Sequence, residues 1–284
     1  MVLRFVAGIA RLAGRAPRPV NPVPAESAVL GGLDSLHRVD DWLLAGLSGL
    51  IAASTLLLGA GIAYLVRVPQ PVVAAVMAFG AGVLISALAY ELVAEANAAG
   101  GLLPTVSGFL AGAILFVVAD WLLSRAGGKH RKRAEGSGSG GSGAVIAVGA
   151  LIDGIPESIV LGLSVAGGSG LSIPIIAAIA ISNIPEGLSS TSGMKADGHR
   201  AGYVFGVWGG IAAASTIAAL LGYTLLQGAG DVPIAFVTTV AAGGILAMVS
   251  NTMIPEAFQR DKVLTGLFAT VGFLTAFVLH ELGG

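Results

Sequence analysis

Two short motifs combine acidic residues with hydroxyl and amide side chains at the spacing of one helical turn. They read Asp153-Gly-Ile-Pro-Glu157 and Ser182-Asn-Ile-Pro-Glu186, and both carry proline immediately before glutamate. In a helix, positions i and i+4 lie on one face, so each glutamate stands over an oxygen-bearing residue. The proline before each glutamate frees a backbone carbonyl one turn earlier. The pattern predicts that Asp153, Glu157, Ser182, Asn183 and Glu186 line one cavity whose oxygen atoms bind a cation.

Other acidic residues also lie inside very apolar segments, where each one costs about 2.5–3.5 kcal/mol if the segment spans a membrane. Seven such acids occur, and no Lys or Arg lies inside the predicted segments to neutralise them. Carboxylates in that position must be protonated, reach water or bind cations. Those near a segment end, Glu95, Asp120 and Glu256, are predicted to lie at the membrane interface. The seven are Glu91, Glu95, Asp120, Asp153, Glu157, Glu186 and Glu256.

The composition of the chain indicates the environment that surrounds these residues. The chain has 284 residues, of which 55% are hydrophobic and 11% charged, with a mean hydropathy of +0.88. Ordinary soluble domains carry about 25% charged residues, so the composition excludes a soluble domain as well as a disordered chain. The chain has no cysteine, which excludes a disulfide scaffold and thiolate metal sites, and its net charge of -1 favours no nucleic-acid partner.

A membrane-spanning helix needs about 20 mostly apolar residues. Breaking the sequence at its polar, Gly and Pro clusters predicts eight such helices, and therefore an all-α polytopic membrane protein. The division between the fourth and fifth helix rests on the glycine-rich stretch at 167–170. The predicted spans are 42–66, 71–95, 102–124, 144–168, 171–194, 201–227, 232–257 and 263–282.

The segments outside the spans divide the chain into four regions. An Arg-rich N-terminal tail covers 1–41, three helices cover 42–124, a basic and Gly/Ser-rich loop covers 125–143, and five helices cover 144–282. Loops after odd-numbered spans hold ten Lys and Arg, loops after even-numbered spans hold none, and the tail holds five. Because cytoplasmic loops are richer in basic residues, we expect a cell-membrane protein with both termini outside. The tail favours the opposite orientation, and its stretch at 5–12 fits an interfacial helix, a targeting segment or a disordered tail.

A weak internal similarity relates the two ends of the bundle. When the segment 80–96 is aligned with 241–257, Gly82 matches Gly243 and Glu95 matches Glu256. Repeats of this kind are typical of secondary transporters. The match predicts that spans one to three and six to eight are repeats flanking a central pair, a 3+2+3 arrangement.

The two motifs resemble the ZIP family of divalent metal-ion transporters, whose fourth and fifth spans typically read His-Asn-x-Pro-Glu-Gly. The corresponding segments here are Asp153-Gly-Ile-Pro-Glu-Ser158 and Ser182-Asn-Ile-Pro-Glu-Gly187. The number of spans, the basic loop after span three and the 3+2+3 plan are also similar, so the resemblance covers about 42–282. It implies a metal site halfway across the membrane, lined by Asp153, Glu157, Ser182, Asn183 and Glu186.

The chain also departs from that family pattern. Asp153, Gly154 and Ser182 stand where the family commonly has metal-binding or amide side chains, and span six lacks the acidic residue that some members carry. The resemblance therefore implies one bound ion rather than two. The remaining ligands are all oxygen atoms, a set that suits manganese or iron as well as zinc.

These residues lead to one expected function and two alternatives. We expect a transporter that moves a divalent metal ion into the cytoplasm by alternating access, with no prosthetic group, no enzymatic activity and the lipid bilayer as its surroundings. A homodimer is compatible with the sequence. A non-transporting metal-binding or sensor homologue is the first alternative. An intramembrane metallohydrolase is the second, and it is disfavoured because all four histidines lie outside the mid-membrane positions.

Overall fold

The computed structural model describes residues 24–125, 143–168 and 172–283, and within these ranges the regular structure is entirely helical. Eight of the helices are long and apolar enough to cross a membrane, so the all-α, multi-pass prediction is confirmed. They are α1 (Asp41–Leu65), α2 (Gln70–Gly100), α3 (Leu102–Arg125), α4 (Val148–Ala166), α5 (Ile173–Ala196), α6 (Ala201–Leu226), α7 (Asp231–Arg260) and α8 (Thr265–Leu282).

Three helices extend beyond these apolar spans. The helix that contains α1 begins at Pro24, the one that contains α4 begins at Gly143, and the one that contains α8 ends at Gly283. The chain divides into two compact units, Met1–Asp40 and Asp41–Gly284. The predicted N-terminal stretch 5–12 and most of the basic loop lie outside the described residues.

The junction between α4 and α5 falls where the glycine-rich stretch predicts it. Gly168 has a φ of +78°, a left-handed conformation that suits glycine and ends a helix. The hydroxyl of Ser172 caps α5 by accepting a hydrogen bond from the backbone N–H of Ile175 at 3.4 Å. The two motif-bearing segments are therefore separate helices.

Both α2 and α7 contain a π turn, which the sequence did not predict. The turns cover Leu88–Val93 and Val249–Met253. Their first residues coincide when 80–96 is aligned with 241–257, so the turns follow the internal similarity. A π turn is a one-residue widening of the helix that often marks a functional position. Both helices continue past their predicted ends and reach Gly100 and Arg260.

Glycines allow close contact between helices of the two predicted repeats. Helix α2 packs against α8, and α3 packs against α7. In four places a methyl group on a glycine would lie only 1.8–2.0 Å from a carbonyl oxygen of the partner helix. The pairs of glycine and carbonyl residue are Gly82 with Ala269, Gly272 with Phe79, Gly243 with Phe109, and Gly112 with Val240. The first pair maps onto the third, and the second onto the fourth, when α2 is aligned with α7 at an offset of 161 residues and α3 with α8 at an offset of 160.

The two central helices pack most closely on different neighbours. Helix α4 lies against α6, where Gly162 meets the carbonyl of Ala219. Helix α5 lies against α1, where Gly187 meets the carbonyl of Leu56, and it also packs on α2. The largest apolar core joins α2, α5 and α7 and includes Met77, Leu84, Ile179, Met248 and Val249.

Candidate metal site

All five predicted site residues are buried in the middle part of α4 or α5. Asp153 is 1% exposed, Glu157 2%, Ser182 2%, Asn183 5% and Glu186 7%. Three carboxyl groups inside apolar spans are costly to retain, because a charged group loses its hydration there. Their burial makes Asp153, Glu157 and Glu186 functional candidates.

The two polar residues of the α5 motif donate hydrogen bonds to backbone carbonyls. Ser182 donates its hydroxyl hydrogen to the carbonyl of Ile179 in its own helix, at 2.9 Å. Asn183 donates from its amide Nδ2 to the carbonyl of Ala52 on α1, at 2.9 Å. This hydrogen bond ties α5 to α1. Asn183 does not share a helix face with Ser182, because adjacent helical positions point about 100° apart.

The α4 motif also faces more than one neighbour. A methyl group on Gly154 would lie 3.5 Å from the hydroxyl oxygen of Ser215 on α6. Pro156 faces α7, where its Cγ atom would lie 3.8 Å from a methyl group on Gly244. Ser158 donates its hydroxyl hydrogen to the carbonyl of Gly154 at 2.7 Å. The residues around Asp153 and Glu157 thus lie in ordinary van der Waals contact with α6 and α7.

The structure does not gather the three motif carboxylates into a metal centre. Among the described residues, no three His, Cys, Asp or Glu side chains lie close enough together to hold one ion. The spacing within each helix is as predicted, but the relative placement of α4 and α5 is set by their separate contacts with α6 and α1. The metal site of Asp153, Glu157, Ser182, Asn183 and Glu186 therefore stays a prediction.

A group of three residues on different helices lies near one end of the bundle. The Nδ1 atom of His280 on α8 lies 2.5 Å from a carboxylate oxygen of Glu91, which is in the π turn of α2. Ser172, at the start of α5, donates to the other oxygen of Glu91 at 3.2 Å. We call Glu91, His280 and Ser172 the His280 group; it joins α2, α5 and α8.

A similar group lies near the opposite end of α5. Arg260 donates from Nη2 to Glu256 Oε1 at 2.7 Å and to Ser189 Oγ at 3.0 Å. Ser189 also donates to Glu256, so α5 and α7 are joined there. We call Ser189, Glu256 and Arg260 the Arg260 group. Glu256 Oε2 and Arg260 Nη1 are buried and make no hydrogen bond within the described part of the chain.

These groups correct the expectation that the spans contain no base to neutralise their acids. Arg260 belongs to α7 because that helix continues past residue 257, and it then lies one turn from Glu256. The i, i+4 spacing of Glu256 and Arg260 is visible in the sequence, but the predicted span ended at 257 and left Arg260 outside. Glu91 and His280 are 189 residues apart, and no local pattern relates them.

A cavity of about 140 Å³ opens between α2, α4, α5 and α7, and we call it the vestibule. It lies where α2 and α4 end and where α5 and α7 begin. Its polar lining includes Glu91, Glu95, Ser164, Asp231 and Thr238. Glu95 is exposed. The vestibule is thus an acidic cavity at one end of the bundle.

Comparisons with known proteins provide no family assignment. No protein-family model matches the chain, and no curated protein matches it.

Proposed function

We propose that this protein transports divalent metal cations across a membrane, as the resemblance of its two motifs to the ZIP family implies. The observation that carries the proposal is the burial of three carboxyl groups, Asp153, Glu157 and Glu186, midway along two adjacent apolar helices. Intramembrane acids of this kind typically mark ion pathways. The acidic vestibule supports the same conclusion because it attracts cations to that region of the bundle.

The placement of the carboxyl groups on two different helices suggests how an ion is bound and released. A divalent cation that leaves water needs several oxygen ligands to replace its hydration shell. No such set is preassembled among the described residues, so binding requires α4 and α5 to approach each other. Their packing on different partners allows this, because α4 moves with α6 while α5 moves with α1 and α2. Return to the observed arrangement then separates the ligands and releases the ion.

We also propose that α1–α3 and α6–α8 are inverted repeats around α4 and α5. The equivalent helices, such as α2 and α7, are five spans apart and therefore cross the membrane in opposite directions. The π turns and the glycine contacts recur at equivalent positions of the two halves, which supports the relation. Two inverted halves can exchange their roles by rocking, which exposes a central site alternately to each side.

The distribution of basic residues supports a direction for transport. The positive-inside rule places the loops after α1, α3, α5 and α7 in the cytoplasm and both termini outside the cell membrane. In that orientation the vestibule faces outward and the cation moves into the cytoplasm. The oxygen-only ligand set supports Mn²⁺ and Fe²⁺ as cargo alongside Zn²⁺.

Uptake into proteoliposomes tests the proposal. Purified protein is reconstituted, and the influx of Zn²⁺, Mn²⁺ and Fe²⁺ is compared with that of empty liposomes and of liposomes holding Glu186→Ala. We expect influx of at least one metal in the wild type and loss of that influx in the variant. Wild-type influx equal to that of empty liposomes for every metal would refute transport.

One observation favours a second candidate, a non-transporting metal-binding homologue. Asp153, Gly154 and Ser182 depart from the family motif at positions that commonly carry metal-binding or amide side chains, which suits a protein that does not move an ion across the membrane. Under this alternative, the metal panel gives no influx while the purified protein still binds metal in equilibrium dialysis. Binding together with influx supports the transporter.

A further inference from the structure

A small cavity lies between α2, α5 and α8, beside the vestibule. Its volume is about 10 Å³, close to what a single water-sized ligand requires. Most of its lining is apolar, and the polar exceptions are Ser86 and Glu91 of α2 and Thr275 and His280 of α8. A few polar side chains thus converge on one small space in apolar surroundings, an arrangement typical of ligand sites.

The hydroxyl of Ser86 indicates that the cavity holds a ligand. Ser86 is 1% exposed, and its Oγ atom makes no hydrogen bond within the described residues. Serine hydroxyls in helices ordinarily bond to a carbonyl of the preceding turn, as Ser182 does with Ile179. A buried polar group without a partner is destabilising. A ligand in the cavity provides the contact that Ser86 lacks.

The π turn of α2 brings Glu91 to the same cavity as Ser86. A regular α-helix turns through about 100° per residue, which would place Glu91 about 140° around the helix from Ser86. The π turn over Leu88–Val93 widens the helix and carries Glu91 back toward the face of Ser86. Both side chains line the cavity as a result.

Neighbouring side chains hold Glu91 and His280 in defined orientations. Glu91 is 6% exposed, and its Oε2 atom accepts a hydrogen bond from Ser172 at 3.2 Å. Its Oε1 atom then lies 2.5 Å from Nδ1 of His280, whose ring stacks on Tyr90 with the ring centroids 5.6 Å apart. Carboxylate and imidazole ligands of metal ions are commonly oriented by outer contacts of this kind.

We propose that this cavity is a second site for a divalent metal ion, separate from the motif residues of α4 and α5, with Glu91 Oε1, His280 Nδ1 and Ser86 Oγ as its protein ligands. This mixed oxygen and nitrogen set suits Zn²⁺, Fe²⁺ or Mn²⁺. Ligand atoms at 2.0–2.1 Å from a tetrahedral ion lie about 3.3 Å from each other. The imidazole therefore moves by roughly 1 Å when the ion binds, and its 31% exposure near the end of α8 permits that shift.

The vestibule gives a cation access to this second site. Glu91 lines both the small cavity and the vestibule, so the two spaces meet at its carboxylate. Cations attracted by the acidic vestibule thereby reach the second site. Among the described residues, no third His, Cys, Asp or Glu lies close enough to complete the coordination, so water from the vestibule supplies the remaining ligands.

The other half of the bundle shows that helix packing does not require this pair. When α2 is aligned with α7 and α3 with α8, Glu91 corresponds to Thr252 and His280 to Asp120. The close glycine contacts recur in both halves, whereas a glutamate and a histidine occupy these positions in one half only. The packing is therefore shared between the halves, and the pair of metal-binding side chains is specific to the end with the vestibule.

A nitrogen ligand distinguishes this site from the predicted site on α4 and α5, whose residues offer only oxygen ligands. The chain has four histidines, so a background variant carries His37→Gln, His130→Gln and His199→Gln and keeps His280 as its only imidazole. This protein is purified without a histidine tag and loaded with Mn²⁺. Electron spin echo envelope modulation then detects the nitrogen of a coordinated imidazole, and equilibrium dialysis gives the number of Mn²⁺ ions bound and their dissociation constants.

We expect imidazole modulation in the background variant and its loss when His280→Gln is added. Glu91→Gln should raise the dissociation constant of one Mn²⁺ site by at least tenfold, and Ser86→Ala by about tenfold. Ser86→Ala should leave the Tm of the metal-free protein unchanged or higher, because its hydroxyl makes no hydrogen bond within the described residues. A purely structural role of Ser86 would give the opposite result, a lower Tm with an unchanged dissociation constant.

Three results would overturn the proposal: no imidazole modulation in the Mn²⁺-loaded background variant, modulation that persists after His280→Gln, or unchanged dissociation constants in both Glu91→Gln and Ser86→Ala. Binding at this site does not depend on transport, so Glu186→Gln should keep the modulation while it abolishes influx. Influx without modulation would refute the second site alone, and modulation without influx would refute transport alone.

Discussion

The glycine contacts between the two halves of the bundle lead to a quantitative prediction about stability. Gly82 on α2 lies against the carbonyl of Ala269 on α8, and Gly243 on α7 lies against the carbonyl of Phe109 on α3. A methyl group at either position would lie 1.9 Å from that carbonyl oxygen, whereas ordinary contact begins at 3.4 Å. An alanine at either glycine therefore requires the two helices to move apart by the difference between these distances.

That separation has a predictable cost. Overpacking of a tight interior typically costs about 1–3 kcal/mol, and a backbone-to-backbone contact belongs at the upper end because no side chain can rotate away. We therefore expect Gly82→Ala and Gly243→Ala each to lower the free energy of unfolding by about 2–3 kcal/mol. For a chain of this size, the loss corresponds to a decrease in Tm of roughly 3–5 °C.

Thermal unfolding in detergent, followed by circular dichroism, measures the effect. The matched control is Gly206→Ala on α6, where a methyl group would meet nothing within 4 Å and the residue is exposed. We expect the control to unfold at the wild-type Tm or above it, because alanine favours a helix more than glycine does. A wild-type Tm for Gly82→Ala would contradict the close contact of α2 with α8. Unequal effects at Gly82 and Gly243 would contradict the equivalence of the two contacts.

Three further predictions concern the site and its surroundings. Asn183→Ala removes a buried hydrogen bond to the carbonyl of Ala52 and should lower the unfolding free energy by about 1 kcal/mol in the same thermal assay; no change would mean that this bond does not hold α5 to α1. Arg260→Ala leaves Glu256 buried without its base and should cost about 3–5 kcal/mol, whereas Arg260→Lys should recover part of that loss; equal stability of the two variants would contradict the ion pair. In competition uptake, Mn²⁺ should reduce Zn²⁺ influx at comparable concentration because the ligands are oxygen atoms, and a strong preference for Zn²⁺ would contradict that ligand set.

The sequence predicted the helices well because their lengths and boundaries are local properties. Apolar runs long enough to cross a bilayer, together with the glycine-rich stretch at 167–170, were sufficient to separate eight spans. The π turns could not be predicted from the sequence, because one inserted residue does not change the pattern of apolar residues along the helix. The longer α7 that follows its π turn brings Arg260 into the bundle, and this explains the missed partner of Glu256.

The candidate site was predictable within each helix but not between helices. The spacing of Asp153 and Glu157 determines that both lie on one face of α4, and both are buried. Whether that face meets Glu186 depends on the rotation of α4 and α5, which their glycine contacts with α6 and α1 determine. The contact between Glu91 and His280 depends on the packing of α2 against α8 and has no signal in either segment alone.

The most direct test of the transport proposal is the initial rate of radiolabelled Mn²⁺ or Zn²⁺ uptake into proteoliposomes containing Glu157→Gln or Glu186→Gln. These substitutions keep the size of the buried side chains and remove the negative charge that an ion requires. The control is Asp197→Asn, which changes an exposed carboxylate beyond the end of α5. We expect the wild type and the control to take up metal at equal rates and both glutamine variants to fall to the rate of empty liposomes. Wild-type rates in both glutamine variants would contradict the account.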